Sequence, residues 1–150
     1  MKKLMVILML ILPSAIIHAQ TTDDEIEYIQ SIFGMEKRAA VSEYLELEEN
    51  EKEAFWKHYD AYEVQRKVYG KERILLLDKI VSSYESLTDA ESAEWMKAVI
   101  ALRKKNEKLI EKYYKQIAKD CSPTVGMQFY QIESYLLAGI RFQILENMPF

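Results

Sequence analysis

Residues 86–91 have the sequence Ser-Leu-Thr-Asp-Ala-Glu, and they separate two long helical patterns. Thr88 is a favourable N-cap residue, and Glu91, three residues later, can complete a capping box by accepting a hydrogen bond from the backbone N–H of the cap. The stretch therefore predicts that one helix ends near Tyr84 and that the next one begins at Thr88.

The segment before this break predicts a single helix of unusual length, from about Glu48 to about Tyr84. Its apolar and aromatic residues recur mostly at intervals of three, four or seven. They are Phe55, Tyr59, Tyr62, Tyr69, Leu76, Leu77, Ile80 and Tyr84. Such a helix is roughly 54 Å long at 1.5 Å per residue, which is more than a compact bundle of this size can cover. Arg66 and Arg73 lie close to the stripe and interrupt it with charge.

The segment after the break predicts a third helix that runs to about Lys119. Its apolar face consists of Met96, Val99, Ile100, Leu109, Ile110, Tyr113 and Ile117. Its second half is crowded with Arg103, Lys104, Lys105, Lys108, Lys112, Lys115 and Lys119. Cations are favourable near the negative end of a helix, so the pattern is consistent with one continuous element.

Two more helices flank this pair. The first, from about Asp23 to Leu45, has Thr22 or Asp23 as its cap, and Gly34 weakens its centre. Its apolar face is Ile26, Ile29, Ile32, Phe33, Ala40, Val41 and Tyr44. The last begins with Ser122-Pro123 and runs to about Asn147. Its apolar residues are Met127, Tyr130, Tyr135, Leu136, Ile140, Ile144 and Leu145.

No stretch alternates as a strand does. The sequence thus predicts an all-α fold of four helices. The two long central helices form an elongated antiparallel hairpin, and because they are too long for one copy to cover, we expect a homodimer.

The N-terminus predicts export. Lys2 and Lys3 precede an unbroken apolar run, Leu4 to Leu12, and Ile17-His18-Ala19 resembles a cleavage site. The run is shorter than the roughly 20 residues that span a bilayer. We expect a signal peptide over residues 1–19 and one helical domain over residues 20–150 that is not membrane-inserted. An uncleaved N-terminal anchor is the alternative.

The composition argues against several classes of function. After cleavage His58 is the sole histidine and Cys121 the sole cysteine, so neither a multi-ligand zinc site nor a nucleophile–histidine pair is indicated. The glycines are scattered, so a phosphate-binding loop is not indicated either. Export and a net charge of −4 argue against nucleic acid. We expect no enzyme activity and no cofactor. Cys121 is a buried apolar residue, a spare thiol or a bridge to a second copy.

A protein-binding surface is the remaining hypothesis. Amphipathic aromatics beside flexible cations suit adaptable contacts with other proteins. The residues expected to form this surface are Tyr59, Tyr62, Arg66, Tyr69, Arg73, Arg103, Lys104 and Lys108. The alternative is that the tyrosines pack between helices and the lysines are simply solvated.

The chain resembles the Spy/CpxP-type periplasmic proteins, whose hallmark is a Leu-Thr-x-x-Gln motif at helix starts. Residues 87–91 match it with Glu91 in place of Gln, and residues 47–51 are a weaker copy. A subgroup common in Gram-negative bacteria is similar over roughly residues 25–148. The positions that carry the similarity include Leu47, Phe55, Trp56, Leu87, Thr88, Glu91, Phe129, Gln131, Glu133 and Arg141. Lys57 and Ser134-Tyr135 depart from the subgroup.

The resemblance implies a cradle-shaped periplasmic homodimer that binds unfolded or envelope proteins without ATP, as a chaperone-like or envelope-stress-modulating protein. The alternative is a dedicated regulatory partner of an envelope sensor or anti-sigma protein. Some relatives are metal-linked sensors, and the lone His58 argues against that role here.

Overall fold

The computed structural model describes residues 23–148, the side chain of Ile29 excepted. They form four α-helices and one short 3₁₀ helix, with no strand in this range. The helices are α1 (Asp23–Tyr44), α2 (Glu49–Ser83), α3 (Asp89–Asp120) and α4 (Pro123–Glu146), and the 3₁₀ helix is Tyr84–Ser86 between α2 and α3. The predicted all-α class with four helices is confirmed. The expected signal peptide, the candidate cap Thr22 and the last two residues lie outside the described range.

The helix starts are fixed by local hydrogen bonds. Thr88 accepts from the Glu91 N–H at 3.3 Å, and the Glu91 carboxylate accepts from the Thr88 N–H at 2.9 Å, which completes the predicted capping box. At α4, Ser122 Oγ accepts from the Val125 N–H at 3.3 Å. At α2, the Glu51 carboxylate accepts from the Glu48 N–H at 3.1 Å. Each start is therefore specified within four residues of sequence.

Helices α2 and α3 pack together over most of their length. The pairs in contact are His58 with Asp120, Tyr62 with Tyr113, Glu72 with Lys105, and Leu76 with Trp95. The polar contacts of this set measure 2.8, 3.0 and 2.8 Å, and the two tyrosine rings are 5.6 Å apart. Early residues of α2 thus meet late residues of α3.

Helix α1 lies against the first part of α2. Asp23 at its start pairs with Lys71 at 2.9 Å, and Arg38 near its end pairs with Asp60. Residues of α2 beyond about position 73 therefore lie past the described start of α1.

Helix α4 covers only the second half of α3. Gly126 packs on Ala118, and Arg141 lies 3.7 Å from Glu107. The remaining residues to Glu146 extend α4 by about 7.5 Å, to the level of about Leu102. The distal segment, defined here as residues 74–102, is thus the part of α2 and α3 that the described parts of α1 and α4 leave uncovered.

The core lies where all four helices meet, at the opposite end from the distal segment. Its buried members are Val41, Leu45, Phe55, Tyr59, Tyr62, Leu109, Ile110, Tyr113, Ile117, Val125, Phe129, Ile132 and Leu136. Leu47 and Trp56 pack against it from the edge, Gln131 is exposed, and Arg141 is half-buried. Phe55 and Phe129 are fully buried, and their large aromatic rings fill the core at those positions.

The predicted apolar face of α4 is partly wrong. Met127, Tyr130, Tyr135 and Leu145 are exposed, whereas the helix buries Val125, Phe129, Ile132 and Leu136. Because α4 carries apolar residues on both sides, periodicity alone does not select the buried face. Packing of Gly126 onto Ala118 selects it.

Candidate protein-binding surfaces

The two tyrosines expected to begin the binding surface lie in the core. Tyr59 is 1% exposed and Tyr62 is 3% exposed, and the Tyr62 ring lies 5.2 Å from that of Phe129. The Lys37 ammonium group covers both tyrosine rings, at 5.3 and 4.8 Å from their centroids. The expectation that these two side chains lie on an exposed surface is therefore wrong, because α1 and α4 cover this part of α2.

Arg66, Tyr69 and Arg73 are half-buried on the next turns of α2. Arg66 Nε donates to both oxygens of Glu63, at 2.8 and 2.9 Å, and its guanidinium lies 5.1 Å from the Phe33 ring centroid. Arg66 and Arg73 line a cleft between the helices, whereas Tyr69 packs at the edge of the core. Arg66 and Tyr69 therefore make internal contacts, and Arg73 lies in the cleft.

Arg103, Lys104 and Lys108 are exposed on α3, as a binding surface requires. Arg103 pairs with Glu107 at 3.1 Å, while no ion pair joins Lys104 or Lys108 to any residue of the described range. The eight predicted residues therefore divide into two in the core, three half-buried and three exposed, and they do not form one surface.

The exposed lysines of α3 form a continuous ridge. They recur at intervals of three, four or seven and so lie along one side of the helix. This lysine ridge consists of Lys97, Lys104, Lys108, Lys112, Lys115 and Lys119, all exposed. Only Lys97 and Lys115 of this set have an acidic partner among residues 23–148, namely Glu94 and Glu111 one turn away. The ridge is therefore available to an acidic or polar partner.

The distal segment exposes apolar side chains. Trp95 Nε1 donates to the Leu76 carbonyl at 2.8 Å and Ile80 is buried, so α2 and α3 stay in contact within this segment. Around that seam, Met96 is 46% exposed and Ile100 is 47% exposed. The other exposed apolar residues of the segment are Leu75, Val81 and Tyr84. Met96 and Ile100 are four residues apart and so lie next to each other on α3. Adjacent exposed apolar residues mark interaction sites more often than scattered ones do.

Sequence reasoning placed Met96 and Ile100 on the buried face of the third helix, and the structure corrects both. Their spacing is that of a buried stripe, but the helix that covers this stripe further along, α4, extends only to about the level of Leu102. The signal that could have found them is length, since α4 is 24 residues long and α3 is 32.

A buried ionic network ties α1 to α2 and α4, and it was not foreseen from the sequence. The side chains of Lys37 and Glu133 are 1% and 3% exposed. Lys37 Nζ lies 2.5 Å from Glu63 and 2.8 Å from Glu133, and the Tyr62 hydroxyl donates to Glu133 at 2.6 Å. Burial, and then the negative charge of Glu133, hold the pKa of Tyr62 well above its usual range. The phenol therefore stays protonated and acts as a fixed donor.

His58 and Cys121 lie at the edge of the core, apart from this network. His58 Nε2 lies 2.8 Å from an Asp120 carboxylate oxygen at the edge of the core. The Cys121 thiol lies 3.7 Å from the Glu51 carbonyl oxygen, and burial raises its pKa. A protonated thiol is a poor nucleophile at neutral pH. Residues 23–148 contain no group of three or more His, Cys, Asp or Glu side chains placed to hold a metal ion.

Within the described range, no helix is both long and apolar enough to cross a membrane. No family model, curated protein or solved structure matches the chain.

Proposed function

We propose that this chain is an exported, ATP-independent chaperone-like or envelope-stress-modulating protein of the Spy/CpxP type, which binds unfolded or envelope proteins. The observation that carries the proposal is the apolar surface of the distal segment, whose residues Met96 and Ile100 lie on the same helix as the lysine ridge. Exposed Met96 and Ile100 supply adaptable apolar contacts, and flexible lysines supply contacts to acidic and polar groups. The binding surface is thus revised from the core tyrosines to residues that solvent reaches.

An antiparallel hairpin of α2 and α3 belongs to this proposal. It is supported by the order of the contacts, since His58 meets Asp120 near one end and Leu76 meets Trp95 near the other. The hairpin presents the distal segment as an arm that extends away from the four-helix core. An arm of this kind can contact a client without exposing the core.

A homodimer is also part of the proposal. The outer side of α4 is largely apolar, and its exposed large apolar residues are Met127, Tyr130, Tyr135, Phe142 and Leu145. Apolar faces of this kind are commonly buried between identical subunits. Sedimentation equilibrium of residues 20–150 is expected to give twice the chain mass, and a monomer mass at all accessible concentrations contradicts the dimer.

The test of the binding surface is suppression of aggregation. A denatured client is diluted into buffer without ATP, and light scattering is followed at increasing amounts of residues 20–150. We expect suppression near stoichiometric amounts. The variant Leu75→Ser/Met96→Ser/Ile100→Ser should lose it. The control Val64→Ser/Val68→Ser/Met35→Ser changes apolar residues outside the distal segment that are at least as exposed, and it should retain suppression.

The lysine ridge is tested separately. Lys104→Gln/Lys108→Gln/Lys112→Gln should weaken suppression and reduce its salt dependence, because exposed charges are screened over about 8–10 Å at physiological salt. Equal activity of all variants shows that neither surface binds clients.

Absence of suppression at several-fold excess favours the alternative, a dedicated regulatory partner of an envelope sensor or anti-sigma protein. Affinity capture from the envelope fraction should then return one stoichiometric membrane protein. A metal-sensing role requires measurable heat when zinc, copper or nickel is titrated into the protein.

A further inference from the structure

A narrow cleft with an enclosed volume of about 20 Å³ opens between the helices, and Arg73 lines it beside the start of the distal segment. Its apolar wall is formed mainly by Phe33, Leu136 and Ile140. Polar groups converge on it from all four helices: Lys37, Arg66, Arg73, Asn106 and Glu133. Polar groups that converge on one cleft can fix the position and orientation of a small bound ligand.

The charges around the cleft do not balance. Lys37 pairs with Glu63 and Glu133, and Arg66 pairs with Glu63. The charges of these two cations are therefore balanced by the two carboxylates. Arg73 is left over, since no ion pair joins it to any residue between positions 23 and 148. Burial, followed by the positive charges of Arg141 and Arg66, lowers the pKa of Arg73. The cleft therefore carries an excess positive charge that is partly withdrawn from water.

Two buried atoms in the cleft lining lack a hydrogen-bond partner. They are Nη2 of Arg66, a donor, and Oε1 of Glu133, an acceptor. Glu133 is almost completely buried, and its other oxygen already accepts from Tyr62 and contacts Lys37. Buried polar atoms without partners are uncommon in folded proteins, and both occur here beside the unpaired guanidinium of Arg73.

We propose that this cleft binds a small oxyanion, a phosphate or a carboxylate, between the guanidinium groups of Arg66 and Arg73. Guanidinium forks match the geometry of both anions and form short, charge-assisted hydrogen bonds with them. A protonated oxygen or hydroxyl group on the same ligand donates to Oε1 of Glu133. The ligand then neutralises the excess charge and satisfies both unpartnered atoms.

The identity of the anion is addressed by calorimetric titration of residues 20–150 at constant ionic strength, with sodium chloride as the background salt. The probes are inorganic phosphate, sulfate, glycolate and acetate. Phosphate and glycolate carry a hydrogen-bond donor and should bind more tightly than sulfate and acetate. Tighter binding of phosphate than of glycolate identifies a phosphate site, and the reverse order identifies a hydroxy-acid site.

The variant Arg73→Met tests whether the anion binds in this cleft. It removes the positive charge and the paired N–H donors of the guanidinium group but retains an apolar side chain. Loss of charge-assisted hydrogen bonds should weaken binding about tenfold or more. Arg103→Met removes an exposed arginine elsewhere and should leave binding within about twofold of the wild-type value. In buffer without either probe, Arg73→Met should be at least as stable as the wild type, because it removes an unpaired, half-buried cation.

If Arg73→Met fails to fold, Arg73→Lys retains the charge without the fork and should still lose most of the affinity. The proposal is overturned if no probe binds more tightly than chloride, or if Arg73→Lys and Arg103→Met bind as the wild type does.

Discussion

At the scale of single residues, two helical glycines have opposite structural roles. A Cβ atom at Gly126 would lie 2.7 Å from the Cβ of Ala118 and 3.0 Å from its backbone. A Cβ atom at Gly34 would meet only the flexible end of Lys67, at 3.9 Å. The absence of a side chain at Gly126 is what lets α4 pack closely on α3, whereas Gly34 has no such role.

Alanine substitution should separate these roles. Gly126→Ala is expected to lower the free energy of unfolding by about 1–3 kcal/mol, because the extra methyl group overpacks a rigid contact. Gly34→Ala should raise it by roughly 0.5–1 kcal/mol, because alanine loses less backbone entropy in a helix. Urea unfolding monitored by circular dichroism measures both. A Gly126→Ala variant as stable as the wild type would contradict the packing role of Gly126.

At the scale of the helix, the Glu91 carboxylate, an ionisable group, stabilises the start of α3 through its hydrogen bonds to Thr88. The Thr88 backbone N–H, and then its hydroxyl group, donate to Glu91 and hold the pKa of that carboxyl below its usual range. A carboxyl group whose folded pKa is lowered stabilises the protein above its unfolded pKa. That stability is lost as the pH falls through the folded pKa.

Glu91→Gln should therefore be less stable than the wild type at neutral pH. The difference should shrink as the pH falls from about 5 to about 3, because protonation removes the same charge from the wild-type carboxyl group. Thermal unfolding across this range measures the effect. Glu94→Gln is the control, since Glu94 lies one turn further along and, among residues 23–148, its side chain pairs only with Lys97, at 3.7 Å. A difference for Glu91→Gln that does not vary with pH would argue against the capping role.

At the scale of the whole molecule, the network of Lys37, Glu63 and Glu133 connects three helices across the core. Removing Lys37 leaves the buried Glu133 carboxylate without its cation, whereas the half-buried Glu63 keeps Arg66. Lys37→Met is therefore expected to cost about 3 kcal/mol, which is typical for breaking a buried ion pair. Urea unfolding provides the measurement.

Coupling between Lys37 and Glu133 distinguishes this network from ordinary packing. Glu133→Gln should cost less in the Lys37→Met background than in the wild type, because neutralisation then relieves an unpaired buried charge. Strictly additive effects would show that the two groups do not interact. The exposed pair Lys115 and Glu111, at 2.6 Å, is the control and should couple by less than about 1 kcal/mol.

The sequence by itself determined the helices. Thr88 with Glu91, and Ser122 with Pro123, specify helix starts through hydrogen bonds and φ restraints within a few residues, so their signals are local. Helical periodicity then identified much of the core, including Phe55, Ile110 and Ile117. These features depend on neighbours in the chain, which is why they could be predicted without the fold.

Only the tertiary structure decided which apolar faces are covered and which charges meet. Met96 and Ile100 have the spacing of core residues, and they are exposed because α4 is too short to reach them. Lys37 and Glu133 are buried as partners, although they come from the first and last helices. Coverage and charge pairing depend on where distant segments end and cross, and no local pattern in the sequence records that.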